Sequence, residues 1–396
     1  MRRHPFFITA SSGSGKAQRR SRFACRTGAL QLAYISQREG QRAAPVSGLT
    51  GYNAGFSGLI PVALLPVLLL EFLKDSPVMR IRRLLYLGTC FLLALGLLTL
   101  VIFVAINWAP DQPVEVLRAQ WAPPPSQFME LDGMQVHYRD QGLEDDPVPV
   151  ILMHGTASSL HTWEGWVKVL KGDHRIITVD LPGFGLTGPR ADHDYSNAAY
   201  TRFILDLMDK LHVQRATLGG NSLGAEIAWN VALAAPQRVA KLILLDSPGY
   251  PYTPKSIPVG FQMARVPILS WLVDHTLPAR MMEDSVKNVY GHPEKVTPEL
   301  VERYAAMLRR SGNRAALRYR LRQLDQTDHT ADIRNIHVPT LILWGGKDQL
   351  IPPDNAALFE RDIAGSRLIV FDELGHVPQE ENPVVTAAAA RIFLMR

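Results

Sequence analysis

Apolar and polar positions follow two different patterns along the chain. Residues 84–106, LLYLGTCFLLALGLLTLVIFVAI, hold no charge and show no polar face. A helix of that length reaches roughly 35 Å at about 1.5 Å per residue, enough for the hydrocarbon core of a bilayer. Tyr86 and Trp108 stand near its two ends, where amphipathic rings favour the headgroup zone. From residue 128 onward, short apolar runs alternate with stretches of helical period. FMELDGMQVHYRD (128–140) predicts two strands joined at Asp132-Gly133. Further strands are predicted in VPVILMHG (148–155), RIITVDLPGFG (175–185), RATLGGNS (215–222), VAKLILLDS (239–247), VPTLILWGGKD (338–348) and RLIVFDELGH (367–376). Helices are predicted in SNAAYTRFILDLMDKL (196–211) with Ser196 as N-cap, in LGAEIAWNVALAAP (223–236), from PPDNAALFERD (352–362) and in NPVVTAAAARIFLM (382–395). Repeated β–α–β units imply an α/β fold, a mostly parallel sheet flanked by helices. Residues 249–332 lack a buried-strand pattern and fall between two sheet strands, which predicts a helical cap inserted over the sheet edge.

These patterns divide the chain into four parts. Residues 1–78 read as a disordered extension or as sequence upstream of the true start, because Met79 opens MRIRRLLYLGTCFLL in the manner of a signal-anchor protein. Residues 79–107 read as a transmembrane signal anchor, 108–127 as a linker and 128–396 as the α/β domain with its cap. Five prolines in 109–127 suggest that the linker is stiff and extended. The apolar stretch 59–72 contains two prolines and a glutamate and is a poor span. SGSGKA lacks the glycine spacing and the Ser/Thr of a phosphate loop.

Charge sharpens this division. Residues 1–83 carry a balance of +10 and the remainder −5, so the basic character belongs to the N-terminus and a nucleic-acid partner is not indicated. RIRR (80–83) directly precedes the apolar span, and no cation cluster follows it. The positive-inside rule then predicts one pass, the N-terminus in the cytoplasm and the folded domain extracytoplasmic, periplasmic if the source is bacterial. A cleaved signal peptide is the rival; the run is long for one and no small-x-small site follows. Two cysteines, Cys25 and Cys90, make neither a disulfide framework nor a metal site, and the histidines form no metal-ligand pattern. No metal or cofactor is expected.

The candidate chemistry lies at the ends of the predicted strands. GNSLG (220–224) matches G-x-S-x-G between a strand and a helix, where the turn is too tight for side chains larger than glycine at Gly220 and Gly224. ELGHVPQEENP (373–383) places His376 after the last strand, and WGGKDQLIP (344–352) places Asp348 after the strand before it. HGTASS (154–159) supplies His154, Gly155 and Thr156 after an earlier strand, and DLPGFGLTG (180–188) supplies a glycine-rich loop. With these motifs, residues 128–396 resemble the α/β-hydrolases of the esterase, lipase and carbon–carbon hydrolase group. The resemblance implies an acyl-serine mechanism. Ser222 would be the nucleophile, His376 the base and Asp348 the orienting acid, with the N–H groups of Thr156 and Leu223 as oxyanion hole. It implies a small-molecule acyl or ester substrate. Serine at the elbow argues against the relatives that use aspartate there.

Some readings stay open. Asp246, after another strand, is a rival orienting acid. A carbon–carbon hydrolase of a vinylogous diketone or an acyltransferase is an alternative activity, although the tryptophan those carbon–carbon hydrolases tend to carry after the histidine is replaced by Val377-Pro378. A non-catalytic binding module would be expected to lack a triad member, and none is missing. Trp163 either lines the pocket or only packs. LRRSGNRAALRYRLRQL (308–324) carries six arginines and no acid. Its stripe of Arg310, Arg314 and Arg318 is read either as a contact for anionic lipid or substrate, or as a solvated helix face. Met281, Met282, Met307 and Leu308 make the cap apolar, which favours an acyl or aromatic group over a sugar.

Overall fold

The computed structural model describes residues 77–396. The expectations for residues 1–76 lie outside the described part. The first described element is helix α1, Pro77–Ile106, 30 residues whose side chains are almost all exposed. Its stretch Val78–Ile106 is long and apolar enough to cross a membrane, and none of its most apolar window is buried against the rest of the chain.

Helix α2, Val114–Trp121, corrects the expectation of an extended linker. The prolines frame this helix without occupying its interior, and Pro113 sits directly before its first residue, where a fixed φ and a missing N–H cost nothing. Leu117 is buried with Leu186, Ala306 and Met307, so the segment is docked on the domain.

Eight strands form one sheet: β1 Ser126–Leu131, β2 Met134–Gly142, β3 Val150–Met153, β4 Arg175–Val179, β5 Ala216–Asn221, β6 Val239–Leu245, β7 Thr340–Gly345 and β8 Arg367–Phe371. Their order is β1-β2-β4-β3-β5-β6-β7-β8. The first two pairings, β1 with β2 and β2 with β4, are antiparallel, and all others are parallel. Asp132 and Gly133 both take positive φ, as a two-residue hairpin of this hand requires. The buried strands alternate their side chains between two cores. Ile151 and Met153 of β3, with Ile342 and Trp344 of β7, face one layer. Val150 and Leu152, with Leu341 and Leu343, face the other.

Helices cover both faces. They are α3 Glu164–Leu170, α4 Asn197–Lys210 and α5 Leu223–Ala234. The Ser196 side chain caps α4 by accepting the Ala199 N–H at 3.2 Å. Between β6 and β7 the chain leaves the sheet to build the cap: α6 Val259–Ala264, α7 Ser270–His275, α8 Ala279–Asn288, α9 Pro298–Arg309, α10 Asn313–Arg322 and the short α11 Thr330–Ile333. Helices α12 Asp354–Asp362, α13 Pro378–Glu381 and α14 Pro383–Leu394 complete the domain. The parallel strands end on one edge of the sheet, and the cap stands over that edge.

Candidate active site

Ser222 occupies the single residue between β5 and α5, at φ 53° and ψ −116°. A non-glycine residue held there stores strain of order 1–3 kcal/mol, and the surroundings fix it. Its N–H donates to the Leu245 carbonyl at 2.9 Å. A methyl group at Gly220 would stand 2.1 Å from the Gly224 carbonyl carbon, and one at Gly224 would stand 2.1 Å from the Met153 oxygen. Both glycines are therefore dictated by backbone approach. A methyl at Gly155 would lie 3.3 Å from the Ser222 Cβ, so the loop after β3 runs against the same turn. Leu223 opens α5, where an N–H has no intrahelical acceptor. Among the described residues no acceptor pairs with the backbone N–H of Leu223 or of Thr156.

His376 and Asp348 are buried and meet directly: His376 Nδ1 lies 2.7 Å from Asp348 Oδ2. The other Asp348 oxygen accepts the N–H groups of Leu350 at 2.8 Å and Ile351 at 3.0 Å, which fixes the carboxylate plane. Three further residues hold the histidine loop, and none stands out in the sequence. Asn221 donates from Nδ2 to the His376 carbonyl at 2.8 Å, tying the loop to the residue before Ser222. Val289 of the cap accepts the His376 N–H at 2.8 Å. Glu381 accepts the N–H groups of Gly375, Gly291 and His292 at 2.8–2.9 Å, joining the loop to the end of α8. The run EEN after the histidine was the one visible trace of this clasp.

Asp246, the rival acid, ends β6 beside this pair. Its Oδ1 accepts the Gly345 N–H at 2.9 Å, and its Oδ2 is buried with no partner among the described residues. Burial first, then the neighbouring Asp348 carboxylate, push its carboxyl well above the usual range. Asp348, not Asp246, carries the hydrogen bond to the imidazole. Asp246, Asp348 and His376 offer three ligand atoms within 4.8 Å of one another, a spacing that suits a metal ion. The Asp348 oxygens and His376 Nδ1 are committed to hydrogen bonds, however. A cation there would have to displace those bonds.

Ser222, His376, Thr156 and Leu223 line one cavity of about 470 Å³ beneath the cap. Its far wall is largely apolar, with Phe261, Met263, Met281, Met282, Leu308 and Leu317. Residues 148–383, more than half of the chain, match the family model of the α/β-hydrolase fold. The chain belongs to the α/β-hydrolase family. An uncharacterised protein of Mycobacterium tuberculosis (strain H37Rv) is 30% identical over 278 residues, covering 66% of this chain and 79% of that one. The meta-cleavage product hydrolase of Pseudomonas fluorescens IP01 superposes with a TM-score of 0.59 at 25% identity, covering 68% of this chain and 97% of that one. A structure titled a membrane phospholipase A and bacterial virulence factor superposes with a TM-score of 0.58 at 22% identity. It covers 79% of this chain and 97% of its own, and that likeness concerns the fold.

Other residues of this α/β-hydrolase have structural tasks. His154 Nδ1 lies 2.7 Å from the Gly155 carbonyl, and its Nε2 accepts the Leu181 N–H at 3.0 Å; burial pushes its pKa down and keeps it neutral. Trp163 does not line the cavity. It is fully buried against Trp166 with ring centroids 5.1 Å apart, in the core on one face of the sheet. Asp180 pins the glycine-rich loop by accepting the N–H groups of Leu160 and Leu186, each at 2.7 Å, and meeting His137 Nδ1 at 2.7 Å. Burial alone would raise the Asp180 carboxyl, but its contact with His137 holds it well below the usual range.

The arginine stripe is not a solvated helix face, and its member Arg314 lines the cavity. Gly312 at φ 85° breaks the helix, and the side chains turn inward to partners distant in sequence. Arg314 pairs with Asp111 at 2.6 Å, Arg318 with Asp274 at 2.5 Å and the buried Arg320 with Glu226 at 2.7 Å. Arg310 donates to the Thr187 carbonyl at 3.1 Å. Arg310 and Arg320 clamp the cap to the sheet domain, Arg314 ties it to the segment that follows α1, and Arg318 joins two helices of the cap.

Proposed function

We propose that this hydrolase cleaves carboxylic acyl esters through an acyl-serine intermediate. The observation that carries the proposal is the conjunction of Ser222 on its strained turn with a histidine oriented by Asp348, both on the wall of one apolar cavity. The bond from His376 Nδ1 to Asp348 leaves Nε2 to serve the serine. His376 takes the Ser222 proton as Oγ attacks the ester carbonyl. The Thr156 and Leu223 N–H groups receive the developing oxyanion. Collapse releases the alcohol, which takes the proton from His376. A water activated by the same imidazole then frees the acid and restores Ser222. Asp246 is not the orienting acid in this scheme. The apolar wall favours an acyl chain over a sugar.

The reaction is tested with detergent-solubilised full-length protein and a series of p-nitrophenyl esters from acetyl to palmitoyl. Turnover that exceeds Ser222→Ala throughout the series and peaks at an intermediate or long chain supports the reading. Equal rates for the two proteins would contradict it.

The relatedness to a meta-cleavage product hydrolase favours a second reading, cleavage of a carbon–carbon bond in a vinylogous diketone. Loss of the dienol absorbance of such a compound, without ester turnover, would move the assignment there. Acyl transfer to an acceptor other than water uses the same acyl-enzyme.

Helix α1 is read as a single-pass anchor. RIRR at its start supports a cytoplasmic N-terminal side and a catalytic domain on the far side, in the periplasm if the source is bacterial.

A further inference from the structure

We propose that the outer face of the cap between Val259 and His275 seats on the lipid bilayer beside α1, so that the cavity takes its acyl substrate from the membrane. The inference rests on the anchor and ester readings above and adds where the substrate comes from.

Four large apolar side chains of this segment face outward: Ile268 is 89% exposed, Trp271 57%, Val259 54% and Val266 40%. Exposed apolar side chains gathered in one segment in this way mark an interaction surface. The chain itself says what covers it. Residues 107–109, directly after α1, are paired with residues 275–277 of the cap. Ala109 donates to the His275 carbonyl at 2.9 Å, Leu277 donates to the Asn107 carbonyl at 3.0 Å, and Trp108 and Thr276 form a β-bridge. The rings follow the backbone. Trp108 lies 5.5 Å from His275 and 6.4 Å from Trp271, and Trp271 stacks on His275 at 4.8 Å.

The residue that leaves a spanning helix sits at the headgroup level, which is where tryptophan partitions. Trp271 is therefore held at the depth of Trp108. A second clasp keeps the geometry rigid: Gln112 donates to the Arg309 carbonyl at 2.6 Å, Ser311 donates to the Gln112 carbonyl at 2.8 Å, and Arg314 pairs with Asp111. The patch cannot swing away from the membrane without breaking both clasps.

The same segment is also a wall of the cavity. Phe261, Met263, Val273 and Thr276 line it from inside, while Val266, Ile268 and Trp271 stand outside. One layer of chain separates the bilayer from the space that holds Ser222. The exposed Arg265 lies in this segment and also lines the cavity, a cation suited to a headgroup phosphate.

The test uses full-length protein reconstituted in phosphatidylcholine vesicles containing a lipid brominated near the headgroup. Trp271→Phe removes one fluorophore, and the difference from wild type isolates its share of the emission. The proposal expects that share to be quenched. An unquenched Trp271 overturns it, as does disulfide cross-linking of Ile268→Cys between two copies in the vesicle, which would make the patch a dimer contact. This arm needs no activity, so it stands even if the ester reading fails. In a second arm, Ile268→Glu/Trp271→Glu is assayed against a short soluble ester and against a long-chain ester carried in vesicles. At least a tenfold loss confined to the vesicle substrate is expected. Equal retention of both rates overturns delivery from the membrane, and loss of both is resolved by the quenching arm.

Discussion

Asp246 and Asp348 show how two identical side chains in one buried cluster meet different surroundings. Asp348 has three hydrogen-bond donors aimed at its oxygens, and Asp246 has one. The buried Asp246 carboxyl, with fewer donors, is the one pushed up. Because the native pKa of Asp246 is raised, the native state binds more protons than the unfolded chain above about pH 4. Its contribution is complete below that value and is lost as pH rises toward the raised native pKa. Asp246→Asn removes this slope, since an amide oxygen still accepts the Gly345 N–H. The variant should gain thermal midpoint relative to wild type as pH rises, and keep near-normal ester turnover. A difference that does not change with pH would mean that Asp246 is ionised. Asp348→Asn should instead lower kcat by about 10³–10⁴-fold, the cost of a misoriented imidazole. The sequence left both acids available because each follows a strand of the same sheet. Their hydrogen-bond environments, set by Gly345, Leu350 and Ile351, become visible only when the loops are in place.

Among the elements, the alternation of apolar strands with amphipathic helices is legible because the inner strands β3, β5 and β7 are buried on both faces while helices such as α4 bury one. The elbow was legible as well, since two glycines flanking a serine have a steric cause. What sequence reading missed involves pairing across distance. Arg320 and Glu226 are separated by 94 positions, and no local pattern distinguishes a buried arginine from a solvated one. The segment 108–127 was read from its prolines, which conceal a helix they frame. Trp163 follows a loop that runs to the site, but its ring turns to the opposite core. The Arg320–Glu226 pair fastens α10 to α5, and both partners are almost completely buried. Glu226→Leu alone should cost about 3–5 kcal/mol, because the guanidinium is then buried without its counter-charge. Adding Arg320→Met should recover most of it. Urea midpoints of the two variants and wild type measure this, and additive losses would contradict the coupling. At the elbow, Gly220→Ala forces its methyl into the Gly224 backbone and should abolish turnover through displacement of Ser222. Ester assay of the folded variant checks that.

At the scale of the described residues, α1, the cap and the catalytic edge are connected: the segment after α1 is bonded to the cap at 275–277 and at 309–314, and the cap is bonded to the histidine loop through Val289 and Glu381. The charge asymmetry around α1 predicts the side of the membrane on which this body stands. A C-terminal reporter that works only outside the cytoplasm should be active in cells, and a silent fusion would reverse the orientation. The central claim, that Ser222 is an activated nucleophile, is tested most directly by treating the solubilised full-length protein with a fluorophosphonate and mapping the adduct by peptide mass. The account predicts a single phosphonylated peptide that contains Ser222, absent in Ser222→Ala and strongly reduced in His376→Ala. Folded wild-type protein that takes no label, or an adduct on another residue, would contradict it.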